Sequence, residues 1–185
     1  MDLLGLARGR RSVRSFRADP VPEEDIRYVI DVARHAPSGA NRQPWRFIIV
    51  RDRGLKHRIR MYCEEVEKKF YSRAPEWFLR FARDRGLSWR KPHLTDAPVL
   101  ILVFGYRRAP QWIQSVWLMV GYLILAAAER GYATLTSTPS EVGWANSLLK
   151  MPRDYILQVI IPMGKPREKP SFPGRYSIDK VATWI

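Results

Sequence analysis

The feature that most limits how this chain can fold is an apolar segment at residues 111–130. Its apolar run extends over residues 112–128, and Gly131 follows the segment directly. The segment is too long for a strand and glycine is a common helix C-cap, so we predict one long helix. Gln114 and Ser115 lie inside the apolar run, and charged residues flank this run on both sides. The run is therefore marginal as a membrane span. A helix without a polar face must be covered on every side, so we expect a subunit interface here.

The overall composition is that of one globular domain, residues 1–185. Of the 185 residues, 46% are hydrophobic and 12% are aromatic, which is enough to form a full core. The single cysteine, Cys63, excludes an internal disulfide and a cysteine-based metal centre, and we expect no metal. Residues 1–8 are too few and become basic too early for a signal peptide. We therefore expect a soluble, cytoplasmic protein with no membrane partner.

The charge balance is strongly basic, with 32 basic and 18 acidic residues and a formal net charge of +14. Such an excess is compatible with nucleic-acid binding. The basic residues are scattered, however, without a zinc pattern, an RNA-recognition motif or a basic tail. A solvated basic surface or a site for anionic ligands fits this distribution better. We expect no nucleic-acid partner, and a basic nucleic-acid-binding protein is the alternative from another class.

Helix and strand signals alternate along the chain, which predicts an α+β fold. The expected helices are residues 3–7, a segment from about 23 to the break at 36–39, 56–71, a further piece through 81, and 111–130. The expected strands are residues 45–50, 98–104, 132–138 and 156–163. The tail, residues 165–185, contains several prolines and is expected to be extended until Tyr176.

Two short motifs near the N-terminus could carry chemistry. The first, residues 10–14, brings three arginines and a hydroxyl together, and arginine forks match the oxygens of a phosphate. The second, residues 36–45, is a tight turn with several hydrogen-bonding side chains between a helix and a strand. Taken alone, the first is more often a solvated basic turn and the second an ordinary loop.

The two motifs in this order resemble the N-terminal signature of the nitroreductase family, whose members bind FMN. The resemblance continues through the apolar segment 111–130, the turn at 131–134 and residues 160–166, so it covers almost the whole chain. It implies a nitroreductase-like α+β fold, with a central mixed sheet flanked by helices. It also implies an intertwined homodimer with a domain-swapped tail at 165–185, FMN as cofactor and NAD(P)H as electron donor.

The resemblance also assigns residues to the cofactor. It places the flavin-binding side chains in four segments: Arg10, Arg11, Ser12, Val13 and Arg14; Pro37, Ser38, Gly39, Asn41 and Gln43; Thr136, Ser137 and Thr138; and Arg175. The second segment would approach the flavin from the other subunit, and Arg175 would close over the phosphate. Thr138 is the expected catalytic residue, because its hydroxyl would reach flavin N5, a hydrogen bond that favours delivery of electrons one at a time.

Residues 88–102 and 135–139 look more like one branch of that family, the iodotyrosine deiodinases. In that branch a Glu, a Tyr four residues later and a following Lys hold a halotyrosine zwitterion, which implies Glu67, Tyr71 and Lys91 here. The backbone N–H of Ala40 would lie near the substrate phenolate. Independently of the resemblance, Glu67 and Tyr71 are four residues apart and share one helical face.

The sequence leaves two enzymatic activities open. Reductive dehalogenation of halotyrosines or halophenols is the main hypothesis. Asn41-Arg42-Gln43 follows the general nitroreductase pattern instead, so a general NAD(P)H-dependent nitroreductase or quinone reductase is the alternative.

Overall fold

The structure, a computed structural model, describes residues 2–185; Met1 lies outside them. Its framework is a four-stranded sheet in which neighbouring strands pair antiparallel. The strands are β1 (Trp45–Val50), β2 (Val99–Tyr106), β3 (Ala133–Thr134) and β4 (Tyr155–Gly164), in the order β1-β2-β4-β3. The predicted α+β class is confirmed. Where we expected a mixed sheet, the parallel pairing within residues 2–185 is a single bridge between Ser12 and Thr134.

Helices cover both faces of this sheet. In the described residues they are α1 (Leu3–Gly9), α2 (Glu23–Arg34), α3 (Arg53–Tyr71), α4 (Glu76–Asp84), α5 (His93–Asp96), α6 (Trp112–Glu129), α7 (Trp144–Leu149) and α8 (Ile178–Val181). The start of α3 is fixed by Asp52, whose carboxylate accepts a hydrogen bond from the Leu55 backbone N–H at 2.7 Å. A side chain of this type satisfies a backbone donor that the helix itself leaves free.

The chain forms three layers because both faces of β2 are buried. Successive side chains of a strand point to opposite faces. Val99, Ile101 and Val103 therefore pack into a core with α2 and α6. Leu100 and Leu102 pack into a second core, on the side of α3, α5 and α7. The continuous apolar run predicted as a buried strand is confirmed, and the second core supports the face on which the candidate site lies.

Helix α6 is covered by the chain on one side only. Its inner side, including Val116, Met119 and Leu123, is buried in the core. Its outer side exposes Trp117 and Leu118, at 38% and 48% of their surface. The helix is long and apolar enough to cross a membrane, with a mean hydropathy of 1.4, although 39% of it is buried inside the molecule. Within residues 2–185, the outer side of this apolar helix thus has no cover.

The strand predicted at 132–138 is wrong in length, since β3 stops at Thr134. The neighbouring position on β4 is Pro162, which has no N–H to donate to the ladder. The Leu135 N–H reaches the Pro162 carbonyl only at 3.4 Å. Pairing resumes at Ser137, which exchanges two 2.9 Å backbone hydrogen bonds with Ile160. Residues 135–138 therefore continue beside β4 in the same register, as an irregular segment that is paired again at Ser137.

The tail leaves the sheet as expected. After β4 it is extended up to α8 (Ile178–Val181). Its apolar side chains have little contact with the rest of the chain, and Tyr176, Ile178 and Trp184 are each more than two-thirds exposed. Burial of such side chains is favourable, but residues 2–185 offer these three no covering surface.

Candidate active site

The arginines of the first motif converge on one cavity. After α1 the chain runs alongside β3, where the Val13 N–H donates to the Thr134 carbonyl at 3.2 Å. Val13 itself is buried in the core, while its neighbours face outwards. A cavity of about 730 Å³, the arginine cavity, is lined by five guanidinium groups and by Ser12 and Asp84. The five are Arg10, Arg11, Arg14, Arg85 and Arg175.

The pKa of Arg10 responds to its surroundings in this cavity. Burial lowers the pKa of its guanidinium, and the positive charges of Arg175 and Arg11 lower it further. An anion placed among these groups would relieve that repulsion and accept hydrogen bonds from several forks. The structure thus brings Arg175, from the distant tail, to the residues of the first motif.

A second cavity, of about 680 Å³, adjoins the first and is called here the Glu67 cavity. It contains all three residues predicted to hold an amino acid, Glu67, Tyr71 and Lys91, together with residues 136–138. Arg14 and Leu87 line both cavities. One elongated ligand with an anionic end can therefore occupy the arginine cavity and reach residues 136–138.

Glu67 and Lys91 form an ion pair inside this cavity. Glu67 Oε2 lies 2.9 Å from Lys91 Nζ, and the two side chains are only 10% and 18% exposed. Glu67 Oε1 accepts a hydrogen bond from the Ser140 backbone N–H at 2.9 Å. Lys91 is held from the other side, because its backbone N–H donates to Glu64 at 2.7 Å. An acid and a base in opposed positions can bind the two charges of a zwitterion.

Tyr71 is a hydrogen-bond donor at neutral pH. Burial raises the pKa of its hydroxyl, and the charge of Glu67 raises it further against a smaller opposing effect of Arg14. Its ring packs edge-on against Phe70 and Phe78, with centroids 5.9 and 5.5 Å away. Phe70 and Phe78 line the cavity together with Tyr71, and Phe78 belongs to α4.

The second motif lies elsewhere in the single chain. Its predicted site residues, Pro37, Ser38, Gly39, Ala40, Asn41 and Gln43, line neither the arginine cavity nor the Glu67 cavity. They sit at the start of α6, where the Gly39 N–H donates to Ser115 Oγ at 3.1 Å. Ala40, Asn41 and Gln43 all have positive φ. This conformation is strained for residues other than glycine and clusters at functional sites.

Sequence reasoning missed His93. It lines the Glu67 cavity and is 5% exposed, and its Nε2 has no hydrogen-bond partner within residues 2–185. Burial lowers its pKa to about 4, helped by the charges of Lys91 and Arg14. A lone histidine before a strand carries no signal in the sequence. Ser140 was missed too, because it acts through its backbone N–H.

Comparison with known proteins identifies the family. The model of the nitroreductase family matches residues 7–165, and the chain belongs to this family. An iodotyrosine deiodinase of Thermotoga neapolitana is 43% identical over 98% of both chains. That of Danio rerio is 37% identical over 89% of this chain and 60% of its own length. These relatives place the chain in the iodotyrosine deiodinase branch, as predicted.

Solved structures agree with this assignment. An oxidized iodotyrosine deiodinase bound to FMN and 3-iodo-L-tyrosine superimposes with a TM-score of 0.93 and is 41% identical over 99% of this chain and all of the other. A BluB-like flavoprotein from Clostridium difficile shares the fold, with a TM-score of 0.82 and 24% identity over 100% of this chain and 99% of its own. The nitroreductase-like fold predicted from the sequence is therefore confirmed.

The buried, neutral His93 predicts a specific acid sensitivity. Between its ordinary pKa of 6.5 and its pKa of about 4 in the fold, the unfolded chain binds a proton that the folded chain does not. The free energy of unfolding therefore falls as the pH drops through this window, by roughly 3 kcal/mol at most from this group. Replacing His93→Asn should remove that part of the fall, measured by urea unfolding at pH 7 and pH 4.5.

The matched control is His57→Asn, since His57 is exposed. It should keep the full pH dependence of the parent protein. Identical pH profiles for the two variants would show that His93 does not titrate as the structure implies.

Proposed function

We propose that this protein is an FMN-dependent enzyme that removes iodide reductively from iodotyrosine or a closely related halotyrosine. The observation that carries the proposal is the Glu67–Lys91 pair, held at 2.9 Å in a cavity that also contains Tyr71 and Thr138. Relatives with 43% and 37% identity are iodotyrosine deiodinases. The neighbour bound to FMN and 3-iodo-L-tyrosine supports both the cofactor and the substrate class.

The arginine cavity fits the phosphate of FMN. Arg10, Arg11, Arg14 and Arg175 would supply the charge, and Ser12 would add a hydroxyl. Val13, which we predicted to bind the cofactor, does not line this cavity, because it is buried in the core and its N–H donates to Thr134. Arg14, at the junction of the two cavities, would then lie towards the pyrimidine edge. Residues 136–138 would lie beside the ring, and the two hydrogen bonds between Ser137 and Ile160 fix the backbone next to Thr138.

The charged ends of the substrate have complementary partners. Glu67 would accept hydrogen bonds from the α-ammonium group, Lys91 would donate to the α-carboxylate, and Tyr71, which stays protonated, would donate a further bond. The two charged groups of the substrate would replace the Glu67–Lys91 ion pair. Each of the two side chains would therefore keep a partner of opposite charge when the zwitterion enters. A neutral halophenol carries no charge that could pair with Glu67 or Lys91. If it separated them, each buried charge would lose its partner, which is costly.

The reaction itself needs electrons that side chains do not supply. Exchange of iodide for hydrogen on the ring consumes two electrons and one proton, and FMN supplies the electrons when bound. The chain orients the ring by its zwitterion contacts and excludes water with Phe70 and Phe78. Thr138 would offer its hydroxyl to flavin N5. We propose NAD(P)H as the ultimate electron donor.

We further propose that the enzyme is an intertwined homodimer of single-domain subunits. A second copy would cover the outer side of α6 and receive the tail 165–185. It would also bring Pro37, Ser38, Gly39, Asn41 and Gln43 to the flavin, with the backbone N–H of Ala40 close to the substrate phenolate. The strained loop and the uncovered apolar helix support this arrangement. The cytoplasmic location stays a prediction.

The function is tested by anaerobic turnover with reduced, FMN-loaded protein. We expect iodide and tyrosine from 3-iodotyrosine. Glu67→Gln should weaken binding of 3-iodotyrosine by about 10- to 100-fold, since a charge-assisted hydrogen bond contributes about 1.5–3 kcal/mol, while reduction of a nitrophenol is retained. Glu65→Gln, an exposed position on the same helix, is the control and should behave as the parent. Nitrophenol reduction without iodide release would favour the general nitroreductase instead.

The dimer is tested by sedimentation of the parent protein and of two variants, each with one added carboxylate. Leu118→Glu places a carboxylate on the outer side of α6, and we expect it to shift the protein to monomer and to weaken FMN binding. Met61→Glu adds the same charge at an exposed position on α3, 59% exposed, and should remain dimeric. A parent protein that sediments as a monomer would contradict the proposed assembly.

A further inference from the structure

We propose that Arg85, at the end of α4, binds the phosphate of the cofactor and thereby fastens the segment 78–88 over the substrate cavity. The inference rests on the proposed FMN function and adds a residue to it. Arg85 belongs to neither the N-terminal motif nor the tail, which carry the other arginines of the cavity. Its contribution would connect cofactor binding to the wall of the substrate site.

The backbone at the end of α4 fixes where Arg85 lies. Its N–H donates to the Ala82 carbonyl at 3.2 Å, and the Leu87 N–H donates to the same carbonyl at 2.8 Å. Gly86 has a φ of +60°, the left-handed conformation that commonly ends a helix. The Arg85 guanidinium stacks on the ring of Phe81, 4.6 Å from its centroid. Its position at the rim of the arginine cavity is thus supported from two sides.

The charge balance of the arginine cavity favours a doubly charged anion. Five guanidinium groups line it, against one carboxylate, Asp84. Burial lowers the pKa of the Arg10 guanidinium, and the positive charges of Arg175 and Arg11 lower it further. Arg85 adds to this excess and Asp84 offsets part of it. A phosphate dianion is the group whose charge and oxygen geometry match such a cluster.

The segment 78–88 forms a wall of both cavities. Phe78 and Leu87 face the Glu67 cavity, while Phe81, Arg85 and again Leu87 face the arginine cavity. Apolar contacts hold this segment weakly, because Ala82 is the only residue of α4 that is buried. An electrostatic tie at Arg85 would therefore restrain the wall that packs on Tyr71. Phosphate binding and substrate binding would strengthen each other, since such coupling is reciprocal.

The test compares two flavins that differ only by the phosphate. Arg85→Gln should weaken FMN binding about tenfold, measured by quenching of flavin fluorescence, and leave riboflavin binding unchanged, because the lost contact is one charge-assisted bond. Asp84→Asn removes the opposing carboxylate and should tighten FMN binding several-fold. Arg80→Gln, on the same helix but lining neither cavity, loses the same charge and should leave both affinities unchanged.

The coupling between phosphate binding and substrate binding is measured separately, as the affinity for 3-iodotyrosine at saturating FMN. Arg85→Gln should weaken 3-iodotyrosine binding several-fold, while Arg80→Gln should not. Equal effects of the two substitutions, or an equal loss of FMN and riboflavin affinity in Arg85→Gln, would overturn the inference. Failure of the parent protein to bind either flavin would instead contradict the proposed function.

Discussion

The molecule depends on one helix, α6, whose surface is apolar on both sides. Its inner side fills the core against α2 and one face of the sheet. Its outer side exposes side chains such as Trp117, whose apolar surface is poorly solvated by water. The first side positions the sheet and, through it, the cavities on the opposite face. In the proposed dimer, the second side would be covered by another copy of the chain. The strained loop at the start of α6, which lines neither cavity within residues 2–185 of one chain, would then contribute to the partner's site.

The second governing interaction is the ion pair of Glu67 and Lys91. Removing two charges from water is costly, and their mutual attraction compensates only when further hydrogen bonds are made. Ser140 supplies one to Glu67, and the Lys91 backbone is held by Glu64. The pair is therefore a preorganised site, in which a zwitterion can exchange with an internal contact at little electrostatic cost. In the proposed enzyme, this exchange would favour amino acids over simple phenols.

The fold and much of the site could be predicted from the sequence, for identifiable reasons. The extent of β1 and the position of α6 followed from local hydrophobic patterns. The trio Glu67, Tyr71 and Lys91 followed from helical spacing and family resemblance, and the three do share a cavity. The early end of β3 required knowledge of which residue faces Pro162. His93 and Arg85 could not be found, because their roles come from burial and from convergence of distant segments, which no local pattern encodes.

The most direct test of the account is the affinity of the FMN-loaded protein for 3-iodo-L-tyrosine and for 2-iodophenol. The two molecules share the halogenated ring and differ in the zwitterion. If the Glu67–Lys91 pair is the recognition element, 3-iodo-L-tyrosine should bind at least 100-fold more tightly, on the order of the 3 kcal/mol that two charge-assisted contacts provide. Equal affinities would contradict the account, because recognition would then depend on the ring alone.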